Sequence, residues 1–97
     1  MAHVLIYTGL ACSFCERAKM LLTEKNVEFE EINIGVAPEQ RVEMLKRANG
    51  ARTVPQIFID GQHVGGCDDL YMLEREGMLD KLLSGEQPSE PAPSSVG

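Results

Sequence analysis

The sequence predicts an α/β fold in which a four-stranded mixed sheet is flanked by helices on both faces. Three observations carry that expectation. Two strand-like runs near the start are separated by a stretch of helical periodicity, a second helical stretch follows, and two more strand-like runs are joined across Asp60-Gly61-Gln62. The 97 residues suffice for one small domain, because a second core could not be built from what remains.

Residues 3–8, HVLIYT, form a short β-branched and aromatic run bounded by Gly9, the pattern of a buried strand. From Ser13 the spacing changes. Phe14, Ala18, Leu21 and Leu22 fall on one face of a helix that should stop near Asn26. Residues 27–34, VEFEEINI, begin as an alternating strand, with Val27 and Phe29 on one face. Ile32 and Ile34 are out of phase with that pair, which predicts a bulge or a twisted end. Pro38 suits the first turn of a second helix, with Val42, Leu45 and Ala48 inward and Gly50 as its left-handed stop.

Residues 55–60 and 63–66 read as a hairpin. A third helix starts near Cys67 and is interrupted around Gly77, and an apolar segment from Met78 to Leu83 closes the core. A strand–helix–strand unit requires a parallel pair with a right-handed crossover, whereas the hairpin must be antiparallel. Together they give a thioredoxin-like architecture over residues 1–84. Residues 85–97 are rich in Pro, Ser and Gly, and Val96 is their one apolar side chain larger than alanine. They should form a disordered tail.

Hydrophobic residues make up 43% and charged residues 25%, a composition that supports an ordinary soluble core. The opening MAHVLIYTG lacks a basic leader followed by a long apolar stretch, and no apolar run approaches the roughly 20 residues that cross a bilayer. A cytoplasmic protein without a membrane partner is expected. Net charge is -6 with no basic cluster, which argues against nucleic acid as a partner.

That compartment keeps thiols reduced, so a Cys-x-x-Cys pair is more often catalytic or metal-binding there than a structural staple. The chain has three cysteines, Cys12, Cys15 and Cys67, which cannot all pair with one another. Cys12 falls at or just before the first turn of the predicted helix, where unpaired N–H groups and the positive end of the helix dipole face its sulfur. Both favour the thiolate, so its pKa should lie below the ordinary ~8.5 of a free thiol. Cys15 lies one turn deeper on the same face and is positioned to close a disulfide. Cys12 is then the attacking thiol and Cys15 the resolving one. Two plainer readings stand beside this one. A structural zinc site needs four ligands, and only Cys67, His3 and His63 remain to complete it. Alternatively, the two cysteines are buried small hydrophobes.

Two further segments bear on the choice. In ARTVPQIFIDG (51–61) a proline leads a strand, and the backbone of Val54 is left free to pair with an extended peptide-like ligand beside Cys12. The plainer alternative is an ordinary strand-leading proline after a trans bond. In GGCDDL (65–70) two glycines enter a helix, so the N–H groups of Cys67 and Asp68 can hold a carboxylate while Asp68 or Asp69 accepts an ammonium. Here the plainer alternative is N-capping by Asp68. Amides for a carboxylate, acids for an ammonium and a strand edge for a peptide, all beside a reactive thiol, suit a short zwitterionic peptide thiol such as glutathione.

Cys12-Ser13-Phe14-Cys15, Thr53-Val54-Pro55 with Gln56-Ile57-Phe58, and Gly65-Gly66-Cys67-Asp68-Asp69-Leu70 resemble the three signature segments of the dithiol glutaredoxins, the short bacterial type in particular. The resemblance runs from about His3 to Leu83. It implies a glutathione-dependent thiol–disulfide oxidoreductase that reduces protein disulfides and glutathione–protein mixed disulfides, with Cys12 as nucleophile. Carried over residue by residue, it implies that Phe14, Arg52, Thr53, Val54 and Pro55 line the glutathione site from one side. Gly66, Cys67, Asp68 and Asp69 would line it from the other. The proline matching Pro55 would follow a cis bond. The implied partners are glutathione and disulfide-bearing or glutathionylated proteins, and the implied state is a monomer.

Two positions depart from the family's pattern. Gly9 stands where the family commonly has a lysine that binds a glutathione carboxylate, and Ser13-Phe14 replaces the usual Pro-Tyr. Serine at that position also resembles family members that hold a [2Fe–2S] cluster between two monomers, using the first cysteine of each and two glutathiones. On that alternative reading Cys12 is a metal ligand in a dimeric cluster carrier or sensor. Otherwise no metal is expected. Cys67 reads as a buried small residue at a helix start or, alternatively, as a sulfur that the glycines beside it leave open to oxidation or glutathionylation, and His3 and His63 read as strand-end and hairpin residues.

Overall fold

The structure, a computed structural model, describes residues 2–85. Along the chain run β1 (Val4–Thr8), α1 (Ser13–Glu24), β2 (Phe29–Asn33), α2 (Gln40–Arg47), β3 (Gln56–Ile59), β4 (Gln62–Gly65), α3 (Cys67–Arg75) and α4 (Leu79–Leu83). The strands form one sheet in the order β2-β1-β3-β4, with β1 parallel to β2 and antiparallel to β3, and β4 antiparallel to β3. This is the mixed sheet expected from the order of elements. The expected tail falls, from residue 86 onward, outside the described residues.

β1 is central and buried along its whole length, which explains its unbroken apolar run. Val4 and Ile6 face one core, with Leu22, Ile57, Ile59 and Leu70, and Leu5 and Tyr7 face the other, with Met44, Ala48 and Phe58. Partial packing on both faces corrects the reading of β2. Its pairing with β1 runs without a shift from Val4 opposite Phe29 to Thr8 opposite Asn33, so no bulge is needed. Val27 and Phe29 pack on the first core and Ile32 and Ile34 on the second, and that is why the two pairs are out of phase. The bulge lies elsewhere. Ile57 pairs with Gly65 and Phe58 with His63, which leaves Val64 as the extra residue in β4.

Two helix readings also need correction. Phe14 does not share the buried face of α1: it sits in the first turn, beyond the end of the sheet, and is 52% exposed, while Cys15, Ala18, Leu21 and Leu22 are buried. In α2 the residue held in the core is Met44, with Ala48 one turn later, and Val42 is exposed. The helix begins at Gln40 rather than at Pro38, because residues 37–41 first make tighter turns, with the N–H of Gln40 donating to Ala37 O and that of Arg41 to Pro38 O. The inward face runs through Met44, Leu45 and Ala48, and Val42 lies outside it.

The stops fall as the sequence suggests. Asn26 adopts a φ of 60°, and the N–H groups of Asn26 and Val27 return to the carbonyls of Thr23 and Leu22, which closes α1 with a left-handed cap. Asp60 and Gly61 both have positive φ, so a two-residue turn joins β3 to β4. No helix among the described residues is long and apolar enough to cross a membrane.

Candidate active site

The turn from β1 into α1 carries the cysteine pair. β1 is anchored at its end by Thr8, whose buried hydroxyl donates to Glu31 Oε2 at 2.7 Å. Cys12 then occupies the N-cap of α1 in extended backbone, and the Cys15 N–H donates to its Sγ at 3.1 Å. A helix N-terminus leaves its first amides without carbonyl partners, and here the capping acceptor is a sulfur. Cys12 and Cys15 are joined in a disulfide. Cys15 is 1% exposed whereas Cys12 is partly exposed, so an incoming group meets Cys12 first.

The second segment approaches from the start of β3. The Val54–Pro55 peptide is cis, and the Val54 carbonyl oxygen lies 3.8 Å from Cys12 Sγ. No other described residue accepts the Val54 N–H. Gln56, buried at the start of β3, donates its Nε2 to the Thr53 carbonyl at 3.0 Å and lies 3.3 Å from the Thr53 hydroxyl. On its other side the Gln56 Oε1 lies 2.6 Å from Nε2 of His63, a β4 residue whose ring stacks on Phe58.

The third segment enters α3 through Gly65 and Gly66. Gly65 has a φ of +119°, and a Cβ there would collide with the Asp69 carboxylate. That carboxylate caps the helix, accepting the Gly66 N–H at 3.0 Å on Oδ2. The cap is therefore Asp69, not Asp68, because the third residue of the helix can reach back to the N-cap amide. Asp68 remains exposed. Tyr71 fixes α3 against α1 by donating its hydroxyl to the Arg17 carbonyl at 3.1 Å, beneath the Arg17 guanidinium.

These three segments enclose an open groove of about 430 Å³. Among its lining residues are Phe14, Thr53, Val54, Pro55, Gly66, Cys67, Asp68 and Asp69, all singled out from the sequence. Cys12 sits at its edge through the contact with Val54. Arg52 is exposed and outside the lining. Gln56, His63, Ala51 and Gly65 also line the groove and were not assigned to it from sequence. A signal for two of them existed. Gln56 is the one polar residue opening an otherwise apolar buried strand, and a two-residue turn at Asp60-Gly61 brings His63 opposite Phe58, diagonal to Gln56. Cys67 is 5% exposed, which favours the buried small residue over the alternative of an open sulfur. Burial pushes its thiol pKa up, the nearby Arg17 charge partly offsets this, and Asp68 adds to the rise.

Compared with known families, residues 4–64 match the glutaredoxin family model. The chain belongs to the glutaredoxin family. Glutaredoxin 3 of Escherichia coli K12 is 57% identical over 83 residues, which cover 86% of this chain and 99% of that protein. The solution structure of a glutaredoxin from Brucella melitensis superposes with a TM-score of 0.74 at 57% identity, covering 86% of this chain and 89% of that one. A crystal structure of a buckwheat glutaredoxin–glutathione complex gives a TM-score of 0.76 at 28% identity, covering 86% and 77%. This glutaredoxin thus has the thioredoxin-like fold of its relatives and a Cys12–Cys15 pair of its own, and is a thiol–disulfide oxidoreductase.

Proposed function

We propose that this chain uses glutathione to reduce protein disulfides and glutathione–protein mixed disulfides through Cys12. One observation carries the reading: the groove beside Cys12 is built from the Val54 backbone, the N-terminus of α3 and the exposed Asp68. Those groups match a peptide, a carboxylate and an ammonium respectively. The buckwheat relative solved with glutathione lends support from the same family.

In the first step the Cys12 thiolate attacks the glutathione sulfur of a mixed disulfide. A Cys12–glutathione disulfide forms, the old S–S bond breaks, and the protein thiolate leaves and takes a proton from water. In the second step a glutathione thiolate attacks the glutathione sulfur of that adduct, releasing oxidised glutathione and regenerating the Cys12 thiolate. The net exchange frees one protein thiol and oxidises one incoming glutathione thiol, which leaves joined to the glutathione that the mixed disulfide carried. With a substrate disulfide between two protein cysteines, Cys12 attacks one sulfur and the other leaves as a thiolate. The Cys15 thiolate then attacks Cys12 Sγ, the second substrate thiolate leaves, and two glutathiones reduce the internal disulfide and depart as oxidised glutathione. The helix N-terminus stabilises the Cys12 thiolate both as attacking and as leaving group.

A [2Fe–2S] cluster fits only as a shared group. Among the described residues no three His, Cys, Asp or Glu side chains gather as a metal site, and Cys15 and Cys67 are buried. Each chain would offer Cys12 alone, and a cluster would supply one-electron chemistry between two copies.

Turnover of a glutathionylated peptide with glutathione as reductant tests the proposal. Saturable catalysis that survives Cys15→Ser and is lost in Cys12→Ser is expected. Catalysis that survives Cys12→Ser would refute the assignment.

A further inference from the structure

We propose that Gln56 and His63 are positioning residues that aim the Val54 N–H into the groove. The inference rests on the reading of the groove as a peptide-thiol site. Thr53 C=O and Val54 N–H belong to one planar trans peptide, so they point in opposite directions. Gln56 Nε2 donates to that carbonyl at 3.0 Å from a side chain 3% exposed, which draws the oxygen toward the interior. The Val54 N–H is thereby turned outward, where no other described residue accepts it. A peptide carbonyl of the ligand is the partner that this donor lacks.

The amide of Gln56 can serve only in one orientation. Flipped, it would set its oxygen against the Thr53 carbonyl oxygen. His63 prevents the flip. Because Gln56 Oε1 faces the ring at 2.6 Å, His63 Nε2 must carry the proton and donate it. Stacking on Phe58 at 4.9 Å holds the ring in place. The chain His63, Gln56, Thr53 carbonyl is thus a relay that reaches from β4 to the loop beside Cys12.

Three variants separate the links. Gln56→Met removes both bonds, and Gln56→Glu keeps an acceptor toward His63 while presenting oxygen to the Thr53 carbonyl. His63→Phe keeps an aromatic ring on Phe58 and removes the donor. The readout is selectivity: the rate of reduction of the Cys12–Cys15 disulfide by subsaturating glutathione, divided by that with dithiothreitol, which has no peptide group. Loss of one directed peptide hydrogen bond should lower this ratio about fivefold in each variant. In steady-state deglutathionylation the loss should appear in KM for glutathione rather than in kcat. Gln56→Met combined with His63→Phe should lose no more than either alone, because the residues act in series.

Equal losses with both reductants, wild-type selectivity in Gln56→Glu and His63→Phe, or additive losses would each overturn the positioning role. A wild-type protein that does not prefer glutathione over dithiothreitol in binding or KM would instead defeat the peptide-thiol reading beneath it.

Discussion

The Cys15 N–H donates to Cys12 Sγ at 3.1 Å across the first turn of α1, so in the proposed mechanism the resolving residue also supplies an amide to the attacking sulfur. Cys12→Ser should therefore abolish turnover of both disulfide classes. Cys15→Ser keeps the backbone amide and should retain deglutathionylation while losing the reduction of disulfides between two protein cysteines by roughly a hundredfold or more, in line with loss of a covalent partner. Parallel assays with a glutathionylated peptide and a protein disulfide check both expectations.

Gly65 and Asp69 interlock at the entry to α3. Gly65→Ala places a methyl group in the Asp69 carboxylate and a side chain at a φ of +119°. The expected cost is about 1–3 kcal/mol of stability, read by chemical denaturation, together with a raised KM for glutathione. Asp69→Ala removes the acceptor for the Gly66 N–H and should cost about 1 kcal/mol.

Glu31 links the end of β1 to α1 and carries a pH signature. Burial pushes its pKa up, but hydrogen bonds from Thr8 and Lys19 outweigh this and hold it below the ordinary 4.5. A carboxyl with a lowered folded-state pKa contributes stability above its unfolded value, and that stability is lost as pH falls through the folded value. Glu31→Gln should be less stable than the wild type near neutrality and should lose less stability on acidification below 4.5. Urea midpoints measured from pH 7 to pH 3 check that the two curves converge on acidification.

Much of this site is legible in the sequence because its parts are local. Cys12 at a helix start, Pro55 at a strand start and the paired glycines before Cys67 each declare themselves within a few residues. The sheet order follows from a crossover rule and a two-residue turn. What escapes is tertiary. Val42 and Met44 are both apolar and two residues apart, and how α2 docks on the sheet decides which faces the core. Ile32 and Ile34 imitate a bulge because β2 is covered on both faces, a fact belonging to the layers rather than to the strand. The Gln56–His63 bond joins strands across a turn and has no signature at one position.

Cys67 should behave unlike Cys12 despite its place at a helix start. It is 5% exposed, and burial raises its pKa. In the fully reduced native protein, iodoacetamide at neutral pH should label Cys12 at least tenfold faster than Cys67, with Cys67 labelled at the rate of Cys12 only after denaturation. Peptide mapping by mass spectrometry over time checks this.

The central claim is that the start of α1, where the Cys15 N–H meets Cys12 Sγ, favours the Cys12 thiolate with a glycine and no cation at position 9. Its most direct test is the rate of Cys12 alkylation as a function of pH in the Cys15→Ser protein. The account predicts a midpoint clearly below the ~8.5 of a free thiol. A midpoint at or above that value would contradict it.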